Sequence, residues 1–72
     1  MSGEVYWAGK PEKDDFGQPI KDVIYDARTR MGSWAFMTFE SWEQYRASPD
    51  LGTGFGQKFR KQDDGRFLKV LG

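Results

Sequence analysis

Residues 23–45 read VIYDARTRMGSWAFMTFESWEQY and carry the signals of a strand, a turn, a second strand and a helix in succession. Apolar or small side chains alternate with charged ones, and this period of two predicts a strand over residues 20–29. Gly32 can adopt a positive φ at little cost, so residues 30–33 are predicted to form a turn. Trp34–Met37 then return as a second strand. The stretch therefore predicts a β-hairpin.

The hairpin leads directly into a predicted helix. Thr38 precedes it, and its hydroxyl can accept a hydrogen bond from a free main-chain N–H of the first turn. The helix is predicted over residues 39–47, and Pro49 ends it because proline lacks the N–H that a helix needs. The aromatic residues of the helix lie three apart on one stripe: Phe39, Trp42 and Tyr45. A helix this short is not stable alone, so we expect the stripe to form core against the sheet.

A second hairpin is predicted in the last fifteen or so positions, where the turn signal is strongest. Two strand-like runs, 58–62 and 66–71, flank an Asp-Gly pair at 64–65, and this pair favours a two-residue turn. Such a turn would place Phe59 opposite Val70. One face of the hairpin would then carry the side chains of Lys58, Arg60, Phe67, Lys69 and Leu71.

The chain is predicted to be one small domain spanning residues 1–72, since 72 residues are too few to build two cores. Its predicted fold class is α+β: a small antiparallel sheet of two hairpins with one short helix packed on it. For residues 1–19 two arrangements stay open. They can form a loosely ordered tail, or a short strand at Val5–Ala8 can dock on the body, as the aromatic pair Tyr6-Trp7 favours.

Composition argues against several classes of function. The formal net charge is zero, with 11 basic and 11 acidic residues, which disfavours a strongly basic nucleic-acid binder. The chain has no cysteine and no histidine, so it lacks the commonest nucleophilic, acid–base and zinc-binding side chains. We therefore expect no enzymatic activity, no metal and no cofactor. No apolar run is long enough to span a membrane and no signal peptide is predicted, so a cytoplasmic location is expected.

Two further motifs have structural explanations. The acidic pairs Asp14-Asp15 and Asp63-Asp64 lack the spacing of a calcium loop and are interpreted as having structural or solvent-facing roles, with the second pair explained by the turn. The glycine-rich run at 52–56 resembles a phosphate-binding loop in composition. A helix precedes this run and a strand follows it, however, which is the reverse of the order that such loops need. The run is therefore interpreted as a tight connection.

A basic surface on the second hairpin supports an alternative function. Its cations could hold a nucleic-acid backbone while Phe67 stacks on a base, and two arginines of the first hairpin extend the patch. The candidate nucleic-acid-binding residues are Lys58, Arg60, Phe67, Lys69, Arg28 and Arg30. Acidic residues such as Asp26 lie close to the same surface in sequence. Because the net charge is zero, an ordinary solvated sheet face is the stronger interpretation.

Three short motifs carry a family resemblance: YDART at 25–29, GSWA at 32–35 and LGTGFGQ at 51–57. They resemble small phage and prophage-encoded proteins with a zinc-ribbon-like pattern, in which one C-x-x-C pair precedes the first hairpin and a second follows the Trp-Ala strand. The corresponding positions here are Lys13, Phe16, Thr38 and Ser41, none of which can supply a thiolate. The resemblance implies a phage or prophage origin and a lost metal site. It further implies that aromatic packing replaces the metal, with the substitutes being Phe16, Phe39 and Trp42.

The sequence favours a non-enzymatic accessory protein of phage or prophage derivation that binds a protein partner or associates with itself. The small size and the aromatic content of 17% favour this function, since aromatic side chains are enriched at interfaces. The alternative is a small nucleic-acid-binding module that uses the basic hairpin face.

Overall fold

The computed structural model describes residues 4–52 and 54–72. Residues 1–3 of the predicted tail and Thr53 of the glycine-rich run lie outside this description. The strands are β1 (Val23–Arg28), β2 (Trp34–Met37), β3 (Gly56–Lys61) and β4 (Phe67–Leu71), and the helix is α1 (Phe39–Tyr45). The four strands form one antiparallel sheet in the order β2-β1-β3-β4, so β1 and β3 join the two hairpins. The predicted α+β class is confirmed. Within the described residues, no helix is long and apolar enough to cross a membrane.

The sheet buries side chains on both of its faces. On the first face, α1 packs against β1 and β2, and the buried cluster comprises Tyr25, Ala27, Ala35, Met37 and Trp42. On the second face, Trp7 and Ile20 of the N-terminal segment pack on a smaller buried cluster, which comprises Ile24, Phe59 and Phe67. Alternation along β1 sends Ile24 to one face and Tyr25 to the other, and this is the pattern that the sequence predicts.

Residues 5–7 run antiparallel beside β4 and form one isolated bridge with it; we call these residues the N-terminal strand. Tyr6 forms an antiparallel bridge with Leu68, and the Lys69 N–H donates to the Val5 carbonyl over 2.7 Å. Trp7 stacks on the ring of Phe36, with the ring centroids 4.8 Å apart. Of the two arrangements that the sequence left open, the described part of the segment adopts the docked one.

Helix α1 follows its prediction at the start and departs from it at the end. The Thr38 hydroxyl accepts a hydrogen bond from the Ser41 N–H over 3.3 Å, so the predicted cap is confirmed. The helix ends at Tyr45 rather than at 47. The chain straightens there because Arg46 bridges to Thr29 and the Ala47 N–H donates to the Arg28 carbonyl over 3.0 Å. Hydrogen bonds to the end of β1 therefore replace the last predicted helical turn.

The aromatic stripe of α1 is only partly core. Trp42 is 7% exposed and stacks on Tyr25, with the ring centroids 4.5 Å apart, as core packing requires. Tyr45 is half-buried and stacks on Phe16 at 4.1 Å. Phe39 is 44% exposed, so its assignment to the core was wrong. As the first residue of the helix, it lies at the border of the surface that α1 covers.

The register predicted for the second hairpin is wrong by one residue. The Gln62 N–H donates to the Arg66 carbonyl over 2.7 Å, which closes a three-residue loop over residues 63–65. Gly65 has a φ of +87°, the left-handed conformation that ends the common three-residue hairpin loop. Phe59 consequently pairs with Lys69 rather than with Val70. An irregularity between positions 58 and 59 of β3 then restores the predicted alignment at Lys58 and Leu71.

A buried carboxylate joins the loop before β1 to the start of α1. One oxygen of Asp14 accepts hydrogen bonds from the main-chain N–H groups of Phe16 and Gln18, over 2.9 and 2.8 Å. The other oxygen accepts from the Thr38 N–H and hydroxyl, over 2.8 and 2.9 Å. The neighbouring Asp15 is exposed and accepts from the Phe36 N–H over 2.8 Å. Both carboxylates have the structural roles that the sequence analysis gave them.

Candidate interaction surface

The structure separates the basic residues that the sequence analysis placed on one face. Lys58 pairs with Tyr25, and Arg60 pairs with Val23, so both lie on the first face of the sheet with α1. Phe67 is only 2% exposed and belongs to the buried cluster of the second face. Lys69 pairs with Phe59 on that same second face. The predicted set of Lys58, Arg60, Phe67 and Lys69 is therefore not one surface, because the one-residue shift of register moves Phe67 and Lys69 to the opposite side.

The two remaining candidates, Arg28 and Arg30, lie at the end of the sheet near the β1–β2 turn. Arg28 pairs with Trp34 on the second face and is exposed. Arg30 is also exposed, and its guanidinium carbon lies 5.7 Å from the centroid of the Tyr45 ring. Neither arginine extends the surface of Lys58 and Arg60 as predicted. Lys58 and Arg60 lie opposite Tyr25 and Val23, nearer the start of β1, whereas Arg28 and Arg30 lie at or beyond its end.

A continuous surface instead lies on the first face, over β3, β4 and the N-terminal strand. Residues paired across antiparallel strands share a face, and the pairs Lys58–Leu71, Arg60–Leu68 and Leu68–Tyr6 define this one. Helix α1 packs against β1 and β2 and leaves these side chains accessible. We call this surface the open half-face; its residues are Tyr6, Lys58, Arg60, Arg66, Leu68 and Leu71.

The open half-face is apolar at one end and at its border. Leu71 is 52% exposed, a large fraction for a leucine next to a sheet core. The half-exposed Phe39, the first residue of α1, lies where the helix borders the open half-face. It lines a shallow cleft there together with Val23, the partner of Arg60. A set of apolar side chains that the chain itself leaves partly uncovered is typical of a surface that another molecule covers.

Two cations of the open half-face have no ion partner. Within residues 4–52 and 54–72, the Arg66–Asp64 pair is the one salt bridge, with an N–O distance of 2.7 Å. Hydrogen bonds from the Arg66 main-chain N–H and guanidinium hold the pKa of Asp64 below its usual value. The Arg66 guanidinium also lies over Tyr6, 4.1 Å from the ring centroid. Lys58 and Arg60 form no such pair in that part of the chain, so they present positive charge to solvent.

Tyr25 connects these cations to the core beneath α1. The Lys58 ammonium lies 5.8 Å from the centroid of the Tyr25 ring. Burial raises the pKa of the Tyr25 hydroxyl, while the positive charge of Arg60 opposes that rise. Tyr25 is therefore a neutral, buried group beneath the cations. It is not a nucleophile or a base at ordinary pH.

No protein-family model, curated protein sequence or solved structure matches this chain. Function is therefore argued from the chemistry of the surface itself.

Two other candidate sites offer little chemistry. In the glycine-rich connection, the N–H groups of Gly52, Phe55 and Gly56 donate to carbonyls of the same connection, at 2.7 to 3.0 Å. Those amides are not free to bind a phosphate. In the described part of the chain, no three carboxylates come together in a group that could hold a metal ion. Among the described residues, these positions therefore supply neither a phosphate site nor a metal site.

The sequence pattern places Leu71 on the face of Lys58 and Arg60, as the structure does. The predicted two-residue turn set Leu68 on the other face, opposite Lys61, whereas Leu68 pairs with Arg60. Asp63-Asp64-Gly65 also fits a three-residue loop with glycine in the left-handed position, and that alternative gives the observed pairing near the turn. Tyr6 belongs to the surface only because the N-terminal strand docks on β4, and no local pattern predicts that contact.

Proposed function

We propose that this protein is a non-enzymatic accessory protein that binds another protein through the open half-face. The observation that carries the proposal is that α1 covers only part of its sheet face. It leaves Leu71 and Phe39 exposed beside two unpaired cations, Lys58 and Arg60. Apolar contacts supply the affinity of most interfaces, and charges at the rim supply specificity and association rate.

The charge of the surface indicates what kind of partner it fits. A twofold dimer built on this face would bring the cations of the two copies towards each other, because such an interface uses the same patch on both subunits. Like charges across an interface are unfavourable. The surface instead fits a different protein that presents carboxylates around an apolar centre. Of the two possibilities that the sequence left open, binding to another protein is favoured over self-association.

We further propose the phage or prophage origin and the cytoplasmic role that the sequence implies, and the four resemblance positions bear only on the proposed loss of a metal site. Segments 13–16 and 38–41 lie side by side, joined by the hydrogen bonds from Thr38 to the Asp14 carboxylate. A metal held by two cysteine pairs would join the same segments. Here the buried carboxylate and the Phe16–Tyr45 stack take that place. In this proposal, aromatic packing and the Asp14–Thr38 hydrogen bonds together replace the lost metal, and the hydrogen bonds were not predicted from the sequence.

A capture experiment with matched variants tests the proposed function. The tagged protein is incubated with extract of its native host after nuclease treatment, and retained proteins are identified by mass spectrometry. We expect a partner that the wild type retains and the K58E/R60E variant loses, since charge reversal repels carboxylates. The control K13E/K61E changes the charge equally but alters an exposed loop residue and a residue paired with Phe67 on the second face.

Two results would contradict the proposal. One is a partner that both variants retain equally, which would place the contact elsewhere. The other is a wild-type protein that retains nothing beyond what K58E/R60E retains. L71A provides a second test, because it removes exposed apolar area without changing the charge. It should lower the affinity for the same partner by a smaller factor than K58E/R60E does.

A further inference from the structure

Two aromatic side chains lie outside the ring contacts and the buried clusters of the molecule. The chain has three Trp, three Tyr and six Phe. Within residues 4–52 and 54–72, nearly all of them contact another ring, lie beside a cation or belong to the buried clusters. The exceptions are Trp34, which is 48% exposed, and Phe55, which is 40% exposed. Large rings that are partly exposed and lie close together are candidates for contact with another molecule.

These two rings flank a single arginine. Arg28 pairs with Trp34 on β2, and on its other side the Arg28 N–H donates to the Phe55 carbonyl over 3.1 Å. That hydrogen bond lies one step past the Ala27–Gly56 pair, the last of the β1–β3 register, and it holds Phe55, in the turn before β3, beside Arg28. Trp34 on β2, Arg28 on β1 and Phe55 in this turn are thus neighbours at one end of the sheet. We call this group the aromatic row.

The aromatic row lies apart from the open half-face. Arg28 and Trp34 belong to the second face of the sheet, whereas Lys58 and Arg60 belong to the first. On the second face, the Trp7 and Ile20 side chains pack around Ile24, Phe59 and Phe67. The exposed row lies one step beyond this cover, which ends where Trp7 stacks on Phe36, and it is beside the β1–β2 turn.

The charge at this end of the sheet is positive and unpaired. Neither Arg28 nor Arg30 forms a salt bridge with any described residue. The nearest carboxylate on the same face is Asp26, one step inward along β1, and it is half-buried beside Phe36. An arginine between two exposed rings can contact a phosphate while the rings contact bases.

We propose that the aromatic row binds single-stranded nucleic acid. Neighbouring strands lie about 4.8 Å apart, so the backbones at Trp34 and Phe55 are about 10 Å apart with that of Arg28 between them. Bases stacked on the two rings would hold the intervening backbone phosphate over the guanidinium. A duplex offers no free base faces. Single-stranded nucleic acid carries a ring at every phosphate whatever its sequence, so it is the occupant that uses all three side chains. This site does not depend on the protein-binding function proposed for the open half-face.

Fluorescence anisotropy with labelled oligonucleotides tests this site. The probes are fluorescein-labelled twelve-nucleotide oligo(dT) and oligo(rU), and a DNA duplex of equal length, titrated at low salt. We expect both single strands to bind more tightly than the duplex. W34A and F55A should each weaken binding by about 5- to 100-fold, the usual effect of removing one stacking ring. R28Q should weaken binding and lower the slope of log affinity against log salt by about 0.7.

The matched control is K58Q/R60Q, which removes two cations from the other face of the sheet and should leave oligonucleotide affinity unchanged. Circular dichroism melting of every variant checks that a loss of binding is not a loss of fold. Three outcomes overturn the inference: no binding of either single strand at protein concentrations up to about 10⁻⁴ M, equal or tighter binding of the duplex, or binding that K58Q/R60Q abolishes and W34A retains. A preference between oligo(dT) and oligo(rU), with the same response to W34A, identifies which nucleic acid the row takes.

Discussion

Asp14 accepts hydrogen bonds from both the main-chain N–H and the hydroxyl of Thr38, over 2.8 and 2.9 Å, although the two residues are 24 positions apart. The same carboxylate accepts from the N–H groups of Phe16 and Gln18. One side chain thereby orders the loop before β1 and fixes the residue that caps α1. In a domain this small, such a link takes over part of the role that disulfides or metals play elsewhere.

We expect Asp14→Asn to destabilise the fold. An amide has one acceptor oxygen, so two of the four donors around position 14 would face an NH₂ group. Leaving buried donors unpaired costs about 1–3 kcal/mol each, and the loss should appear as a lower urea midpoint. Asp15→Asn is the matched control, because the Asp15 side chain is exposed and accepts from a single N–H. A D14N midpoint no lower than that of D15N would contradict the structural role of Asp14.

The same carboxylate predicts a loss of stability in acid. Burial alone would raise the pKa of Asp14, but the donors from Thr38, Ser41 and Gln18 outweigh burial and lower it. A folded pKa below the unfolded value of about 3.9 gives stability that is complete above about pH 5 and is lost as pH falls through the folded pKa. Urea unfolding of the wild type between pH 5 and 2 should show this decline, which D14N should lack.

Asp26 should have the opposite effect. Burial raises the pKa of Asp26, and the nearby charge of Asp15 raises it further. A folded pKa above the unfolded value means that the charged form costs stability at neutral pH and that the cost disappears as pH falls below about 3.9. Asp26→Asn should therefore raise the thermal midpoint at pH 7 and lose that advantage near pH 3. The exposed Asp22→Asn is the control, and an equal gain in it would show that only net charge matters.

Trp42 and Phe39 should differ sharply although they share one helix and one predicted stripe. Trp42 is 7% exposed and stacks on Tyr25, so Trp42→Ala should cost about 3–5 kcal/mol, enough to unfold much of so small a domain. Phe39 is 44% exposed, and Phe39→Ala should cost about 1 kcal/mol or less. Chemical denaturation measures both. Equal costs would mean that Phe39 is buried by something outside the described contacts.

Local patterns predicted the elements of this fold, and contacts between distant segments decided its surfaces. The alternation around Tyr25 and the Thr38 cap each act within a few residues, and each has its predicted role, whereas Gly65 lies in a loop one residue longer than predicted. The position of Lys69 relative to Phe59 depended on choosing between loops of two and three residues. These loops differ little in local energy but move the side chains of β4 to the other face, as far as the irregularity before Leu71. That one choice explains why the predicted basic surface does not exist.

The candidate surfaces were harder to predict for a related reason. The exposure of Trp34 and Phe55 depends on what the rest of the chain leaves uncovered. The sequence around each of them does not distinguish it from an aromatic residue of the core. Asp14 was given a structural role, but its partner Thr38 lies far along the chain. A buried hydrogen-bond acceptor has no sequence period, so its donors cannot be read from spacing.

Docking of the N-terminal strand gives the last prediction. The Trp7 ring stacks on Phe36 and meets Phe59 edge-on, with the ring centroids 5.5 Å apart in the second case. Trp7→Ala should cost about 2–4 kcal/mol, in the lower part of the range for a large aromatic side chain because Trp7 is half-buried. Val5→Ala is the control; Val5 is 48% exposed, and its carbonyl stays available to Lys69.

Amide hydrogen exchange distinguishes local undocking from global unfolding in these variants. The Lys69 N–H bonds to the Val5 carbonyl over 2.7 Å and points away from β3, so its protection depends on the docked strand. In W7A this amide should exchange faster than the amides that join β1 to β3, whereas in V5A it should stay protected. If the Lys69 amide exchanges at the unprotected rate even in the wild type, residues 5–7 form a loose tail, and Tyr6 leaves the open half-face.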